Sequence, residues 1–462
     1  MKKTGIVAIV VMMVCLVISG CASEEDEFRF DQYEQSGINT FKTSESITIK
    51  QKLPELTESS GLSDYLAYAA LNNAGLKAAF ERWKAAIEQV PQAESLPDPK
   101  FTYGHFINEV ETRVGPQRQK FGIMQTFPWF GEIEARTDAA AASARAERKR
   151  YDVAKLKLFF EVKDVFYEYV YLARAIEIAR ENLELIRHFE EVARIKYIVT
   201  QAGHPDVIRA QIELAKLDDQ LKTIEDLRDP IVARLNAVLN QRSFEMLPWP
   251  KREEFRKADV NRKQMVALLK QMNPELAALD FEVEAARSKV ELAKKKFYPD
   301  IGVGVDWVRT DGALGAGVSD SGKDPIILMF TMNIPIWQDS YRAAELQARA
   351  NVRKAAQRKT QAENTLIARA ERLLYEFYDS DRKIKLYGDI IVPEANDLVV
   401  ASETAYKAGT IDFLSLIDAQ QTLLQYQLRY ERAVTDNQQK LAELEMLVGT
   451  ELPTVSEEPA KK

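Results

Sequence analysis

Between Gly131 and Gly203 the chain holds no proline and no further glycine, and Ala, Leu, Glu, Lys and Arg dominate. These are strong helix formers, so the stretch predicts one uninterrupted helix, at about 1.5 Å per residue roughly 100 Å long. Within it Leu158, Val162, Val165, Tyr169, Leu172, Ile176, Ala179, Leu183 and Ile186 alternate spacings of four and three. That is the 3.5-residue beat of a coiled-coil seam. Phe159, Phe166 and Ala173 form a second stripe beside it. Two packing faces on one helix suit a wall of neighbouring helices better than a simple dimer.

Upstream, a helical pattern runs from about Leu62 to Val90 and is stopped by Pro97 and Pro99. The period then becomes two. Phe101, Tyr103, His105 and Ile107 alternate with Thr102, Gly104, Phe106 and Asn108, and a Gly115-Pro116 turn leads to Phe121, Ile123, Gln125 and Phe127. This predicts a hairpin with strands at about 100–110 and 118–128. The long helix follows over about 131–201, and another begins after His204-Pro205, with Asp206 as N-cap or first-turn acid.

The same order then returns. Asn273-Pro274 opens a second short helix at an offset of 200 from Asn73, Tyr298-Pro299-Asp300 matches Leu96-Pro97-Asp98, and Pro335-Ile336-Trp337 matches Pro128-Trp129-Phe130. Strands are expected at about 300–310 and 325–335, and a second long helix at about 339–407. That helix carries Leu366, Ala370, Leu373, Phe377, Ser380, Ile384, Tyr387 and Ile391 on the same beat, interrupted near Gly388 and Pro393, where a kink or break is expected. Two copies of helix, hairpin, very long helix and helix thus occupy 61–245 and 273–450, joined by a linker at 246–272 and followed by a polar tail at 451–462.

Composition narrows the setting. The 462 residues are 46% hydrophobic and 29% charged, and the net charge is -7 without a basic block, which argues against nucleic acid. Lys2 and Lys3 precede an apolar run from Ile6 to Ile18, too short to span a bilayer and fitting a secretory signal over 1–20. Ile18-Ser19-Gly20-Cys21 resembles a bacterial lipobox, cut before a cysteine that carries lipid on its thiol and amine. The alternative is an ordinary signal peptide that contains a cysteine. Cleavage would remove Cys15 and leave Cys21 alone, so no internal disulfide forms, and loss of the two lysines takes the charge from -7 to -9. Residues 21–60 then form a lipidated, extended lead. Several acyl chains anchor stably where one is marginal.

Strands of about ten residues match the 9 to 11 of a tilted transmembrane strand, and Ile301, Val303, Val305 and Trp307 alternate with Gly302, Gly304 and Asp306 as lipid and lumen faces. A sheet in lipid must close, and four strands are too few, so several protomers share one barrel. The rival is a soluble α+β protein with two amphipathic hairpins.

Several stretches together carry a resemblance: Leu96-Pro97-Asp98-Pro99, the Gln125 to Gly131 corner, Tyr197 to Gly203 followed by Asp206 to Gln211, Asn273-Pro274, and Tyr406 to Asp412 followed by Asp418-Ala419-Gln420. Over about residues 60 to 450 the chain resembles TolC-family outer-membrane efflux proteins of the lipoprotein subgroup. The resemblance implies a mainly α fold with a membrane β-barrel portion: a homotrimer giving four strands per protomer to a 12-stranded barrel, set on a periplasmic α-helical barrel. It implies a passive duct serving a periplasmic adaptor (membrane fusion) protein and an inner-membrane pump. A periplasmic coiled-coil lipoprotein adaptor or scaffold, or the duct of a type I protein secretion system, are the alternatives.

Carried over residue by residue, the adaptor-docking tips are Ala202, Gly203, His204, Ala408, Gly409 and Thr410, and the pore constriction is Asp418, with Ser415 where a second acid stands in relatives. The glycines also suit a left-handed helix end, which is a purely structural reason for them. A ring of Asp418 carboxylates would favour cations; a solvent-facing helix Asp is the alternative. Trp129, Phe130, Phe297, Tyr298 and Trp337 fit an interfacial belt or packing under the barrel, and Ala139 to Ala142 would let helices approach closely. His105, His188 and His204 are scattered without partners at ligand spacing, and no phosphate loop or nucleophile elbow occurs, so no metal, cofactor or catalysis is expected.

Overall fold

The computed structural model describes residues 55–453 apart from 243, 252–254 and 259–260. The signal segment, Cys21, most of the lead and the tail beyond 453 lie outside the described residues.

Asn73 ends helix α1 (Leu62–Asn72) and caps α2 (Ala74–Ile87), which is followed by the short α3 (Gln89–Glu94). Strands β1 (Lys100–Val110) and β2 (Gln117–Phe127) lead to α4 (Glu132–Ile198), 67 residues without interruption. At about 1.5 Å per residue α4 is roughly 100 Å long. Such a helix is held by packing rather than propensity, and every predicted seam residue from Leu158 to Ile186 is buried. The seam runs on through Phe189, Ala193 and Lys196. Helices α5 (His204–Asp226) and α6 (Arg228–Leu239) return along it, joined through Leu227.

The second copy begins with α7 (Arg262–Met272), inside the stretch expected to be linker. It is the counterpart of α1, so the copy starts 11 residues before Asn273. Then come α8 (Pro274–Lys295), β3 (Ile301–Thr310) and β4 (Ile326–Met332). Strand β4 is shorter than the expected 325–335, because Asn333 turns aside to bond Asp300 and Pro335 cannot donate to a ladder. Helix α9 (Gln338–Leu386) passes through a π turn at Tyr387–Ile391 into α10 (Val392–Ala408), and α11 (Phe413–Val448) closes the copy. The interruption near Pro393 is therefore a change of hydrogen-bond register, with Val392 N–H donating to the Tyr387 carbonyl, and not a break.

Helix α4 packs on α1 to α3, α5, α6, α8 and α11, and α11 also packs on α9 and α10. The largest apolar cluster joins α1, α2, α4, α5, α6, α10 and α11, and a second joins α7, α8, α9 and α11. Polar groups fix the register of α4 against α11. Buried Asn182 receives Gln420 Nε2 at 3.0 Å and donates to Gln427 at 2.9 Å. Lys163 meets buried Glu445 at 2.6 Å, and Glu445 also holds Arg256 at 3.1 Å. An unmatched polar residue is costly at such a site, so any slide along α4 would orphan these groups.

The four strands form one antiparallel sheet in the order β1-β2-β3-β4, so β2 and β3 pair across the two copies. Register aligns Tyr103, Phe121, Trp307 and Ile326 in one row and Phe101, Ile123, Val305 and Leu328 in the next. This face is apolar, and the outer members of both rows are exposed. The opposite face carries Thr102, Gly104, Gly122, Gly302, Gly304, Thr331 and the Lys120–Asp306 ion pair. Gly304 has no alternative there, since a Cβ would stand 2.8 Å from the Ile123 carbonyl. The alternation expected for β3 thus extends to the first hairpin, where Met124 interrupts the polar face, but it lapses in β4, which puts Ile327 and Met329 on that face beside Thr331.

Candidate functional site

Two helix-to-helix turns lie at the ends of α4 and α10. In the second, Gly409 is left-handed (φ 78°), its N–H donates to the Tyr406 carbonyl at 3.0 Å, and Thr410 N–H donates to Ala405 at 2.9 Å. This is the expected glycine-ended helix. The first turn differs. Gly203 is extended (φ -82°) and is the N-cap of α5, while the left-handed residue is Thr200 (φ 61°). Gln201 N–H closes that turn onto the Lys196 carbonyl at 2.8 Å. The geometric counterparts of Gly409 and Thr410 are therefore Thr200 and Gln201, and the left-handed role expected for Gly203 is not found. Gly203, His204, Ala408, Gly409 and Thr410 are all exposed, and Ala202 is half-buried.

The turns are tied together by residues that the sequence pattern did not single out. Lys196, buried at the end of α4, donates through Nζ to the Tyr406 carbonyl and to the Lys407 carbonyl at 3.2 Å, and lies 4.6 Å from the Tyr406 ring centroid. Its cation thus sits on the negative end of α10. The Tyr406 hydroxyl reaches Asp206 at 3.4 Å, and its ring packs edge-on against buried Phe413 at 5.3 Å. Burial, with Asp206 alongside, pushes the Tyr406 hydroxyl up to about 12. Asp206 is thus a first-turn acid rather than the cap. A lysine at a seam position, three residues past Ala193, was the available signal for Lys196.

One turn further up, His188 of α4 meets Glu403 of α10 at 2.9 Å, and Lys407 also pairs with Glu403. The Lys407 hydrogen bond holds the Glu403 carboxyl below its ordinary range, with His188 assisting. Asp412 caps α11, accepting from Ser415 N–H at 2.9 Å and Ser415 Oγ at 2.7 Å. Ser415 is thereby committed to the cap. Asp418 is exposed and has no ion pair among the described residues.

At the other end of the staves, Trp129 stacks on Tyr298 at 5.1 Å and 8°, and Phe130 and Trp337 are exposed. Ala139 and Ala142 are buried just beyond this corner.

The model of the outer membrane efflux protein family matches residues 66–241 and 265–450. The chain belongs to this family. Among curated relatives of this efflux protein, nodulation protein T of Rhizobium leguminosarum bv. trifolii is 21% identical over 403 residues, spanning 84% of this chain and 85% of the relative. Pyoverdine export outer membrane protein OpmQ of Pseudomonas putida is 24% identical over 320 residues, spanning 65% and 63%. Of solved structures, Vibrio cholerae VceC shares the fold with a TM-score of 0.69 at 17% identity, covering 84% of this chain and 96% of that one. The Campylobacter jejuni CmeC channel does so with 0.68 at 14%, covering 89% and 94%.

The efflux protein has the expected class of fold, mainly helical with a membrane-type sheet, built as two copies. The exposed turns lie at one end of its helical staves and the four-stranded sheet at the other.

Proposed function

We propose that this efflux protein is the passive exit duct of a tripartite efflux system, carrying small molecules or ions from a periplasmic adaptor and an inner-membrane pump across the outer membrane. The carrying observation is the placement of an open four-stranded sheet, apolar on one face and more polar on the other, on helical staves of roughly 100 Å. Strands β1 and β4 each leave one edge unpaired among the described residues. A sheet in lipid must close, so the edges call for further copies, and three protomers give twelve strands. The polar face then lines the lumen, and the turns at Thr200 and Gly409 point to the periplasmic end, where Ala202, Gly203, His204, Ala408, Gly409 and Thr410 would meet the adaptor. Cys21 would carry the lipid anchor, and Asp418, repeated three times, a cation-favouring constriction. The duct has no energy source of its own, so its partners drive transport.

The test is reconstitution of the purified protein in planar bilayers, with site-specific crosslinking from Ala202 and Thr410 in cells. A trimer that conducts, and crosslinks to a periplasmic adaptor, is expected. Release as a soluble monomer on replacing Cys21 would overturn the reading.

A further inference from the structure

On the apolar face of the sheet, register sets one polar row directly beyond an aromatic one. Tyr103, Phe121 and Trp307 are aligned, with rings 5.2 Å and 5.5 Å apart. The next row along the same face is His105, Gln119 and Arg309. Gln119 Nε2 reaches back to the Tyr103 hydroxyl at 3.4 Å, which joins the two rows.

This row lies at the end of the sheet away from the helices, next to the loops that connect β1 to β2 and β3 to β4. The other end of the sheet is bordered by Trp129, Phe130, Tyr298 and Trp337. Aromatic girdles therefore bound the band at both ends, as at the two interfaces of a membrane barrel. The polar row then falls at headgroup level of the leaflet facing away from the periplasm.

Arg309 is exposed and has no ion pair among the described residues. The acids around it are engaged elsewhere. Arg118 holds both Glu109 and Asp311, the latter at 2.8 Å, and Asp324 Oδ1 accepts from Thr310 N–H at 2.8 Å. An uncompensated guanidinium on a lipid-facing strand is tolerated only near the interface, and a planar fork with a free side matches a phosphate. Imidazole, amide and phenol groups in the same two rows add hydrogen-bonding capacity.

We propose that His105, Gln119 and Arg309 form a binding site for the phosphate of lipopolysaccharide in the outer leaflet, one site per protomer. The inference rests on the duct reading, because it requires the sheet to span the outer membrane. Arg309 supplies the charge, Gln119 and His105 flank it, and the Trp307 and Phe121 rings lie against the acyl region.

The experiment titrates the purified full-length trimer with lipopolysaccharide, with the same lipid after enzymatic dephosphorylation, and with phosphatidylglycerol, and reads bound lipid per protomer by native mass spectrometry. Wild type is expected to prefer the phosphorylated lipid, R309Q to bind it about tenfold more weakly or worse, and R309K to fall between them. R309Q is expected to bind the dephosphorylated lipid as wild type does. Equal retention of the phosphorylated lipid by wild type and R309Q overturns the site, as does equal binding of phosphorylated and dephosphorylated lipid by wild type. Phosphatidylglycerol binding as tightly overturns the assignment to lipopolysaccharide. Planar-bilayer conductance separates the two readings: a wild type that does not insert and conduct refutes the duct and the site together, whereas a conducting R309Q with undiminished binding refutes the site alone.

Discussion

Asn73 and Asn273 make the same two hydrogen bonds in the two copies. Each Oδ1 accepts the N–H three residues on, from Leu76 and Leu276 at 2.9 Å. Each Nδ2 donates to a carbonyl at the far end of its copy, Val238 at 2.8 Å and Leu447 at 2.7 Å. One side chain thus starts a helix and ties down the last helix of the same copy.

Replacing Asn273 by Ala removes the cap, at about 1 kcal/mol, and leaves the Leu447 carbonyl without its partner in a buried setting, for a combined loss of about 2–3 kcal/mol. Asn73 is more exposed, and water can serve Val238 in its absence, so N73A is expected to lose only about 1 kcal/mol. Denaturant unfolding of the two variants checks the order, and a larger loss at Asn73 would contradict it.

Lys196 joins the ends of α4 and α10 and has no carboxylate partner among the described residues. In K196M the apolar stem is kept while the carbonyls of Tyr406 and Lys407 lose their donor. The expected result is local loosening worth about 1–2 kcal/mol. Hydrogen exchange checks it: amides of 404–412 should exchange roughly tenfold faster, while those of 158–186 keep their protection. Uniform loss of protection along α4 would mean that Lys196 supports the whole wall and not the turn.

Gly388 lies in the π turn, and a Cβ there would stand 2.7 Å from the Tyr430 ring. The turn and the close approach belong together. Pro393 cannot donate to the residue four before it and its ring would press on that carbonyl, so the helix widens just ahead of it and brings Gly388 onto α11. G388A is expected to cost about 1–3 kcal/mol through overpacking. Adding Y430L should recover most of that loss, and a double-mutant cycle measures the coupling; additive losses would show that the ring is not the obstacle.

Much of this was legible in the chain because it repeats a simple period. The seam from Leu158 to Ile186 is buried as its spacing requires, and the strand alternation at Ile301 to Trp307 survives intact. What was hidden depends on contacts between distant segments. Helix α7 has two fully buried side chains, Met265 and Leu269, too few to establish a period in a polar stretch. Thr200 takes a left-handed conformation that glycine would adopt at less cost, so aligning glycine with glycine placed the first turn three residues late. Lys196 stands on the seam spacing, but the carbonyls it serves come into view only when α10 is laid against it. The polar row at His105, Gln119 and Arg309 required the strand register, which no single strand contains.

A charge-selective passage is expected from Asp418. Its carboxylate is exposed and unpaired among the described residues, so in a trimer three of them would raise the local cation concentration. D418N is expected to lower the cation-to-anion permeability ratio in planar bilayers severalfold, with the difference fading above about 1 M salt as the charges are screened. An unchanged reversal potential in a salt gradient would remove Asp418 from the constriction.

Tyr406 also predicts the alkaline behaviour of the turn. Its hydroxyl is raised from 10.0 to about 12, by burial first and then by Asp206. The protonated phenol is the neutral form, so the folded state holds this proton more tightly than the unfolded chain. Its contribution to stability is complete below pH 10 and is lost as pH rises from about 10 to 12. Tyr65, also raised to about 12 chiefly by burial, acts in the same direction beneath α1. Burial also raises Tyr151, Tyr169 and Tyr171, so Y406F removes one of several contributions: its stability should decline less steeply between pH 10 and 12 than that of wild type, and Y65F should flatten the same limb independently. Denaturant midpoints at several pH values decide this, and parallel alkaline limbs for wild type and Y406F would show that the Tyr406 phenol is not held neutral by the folded turn.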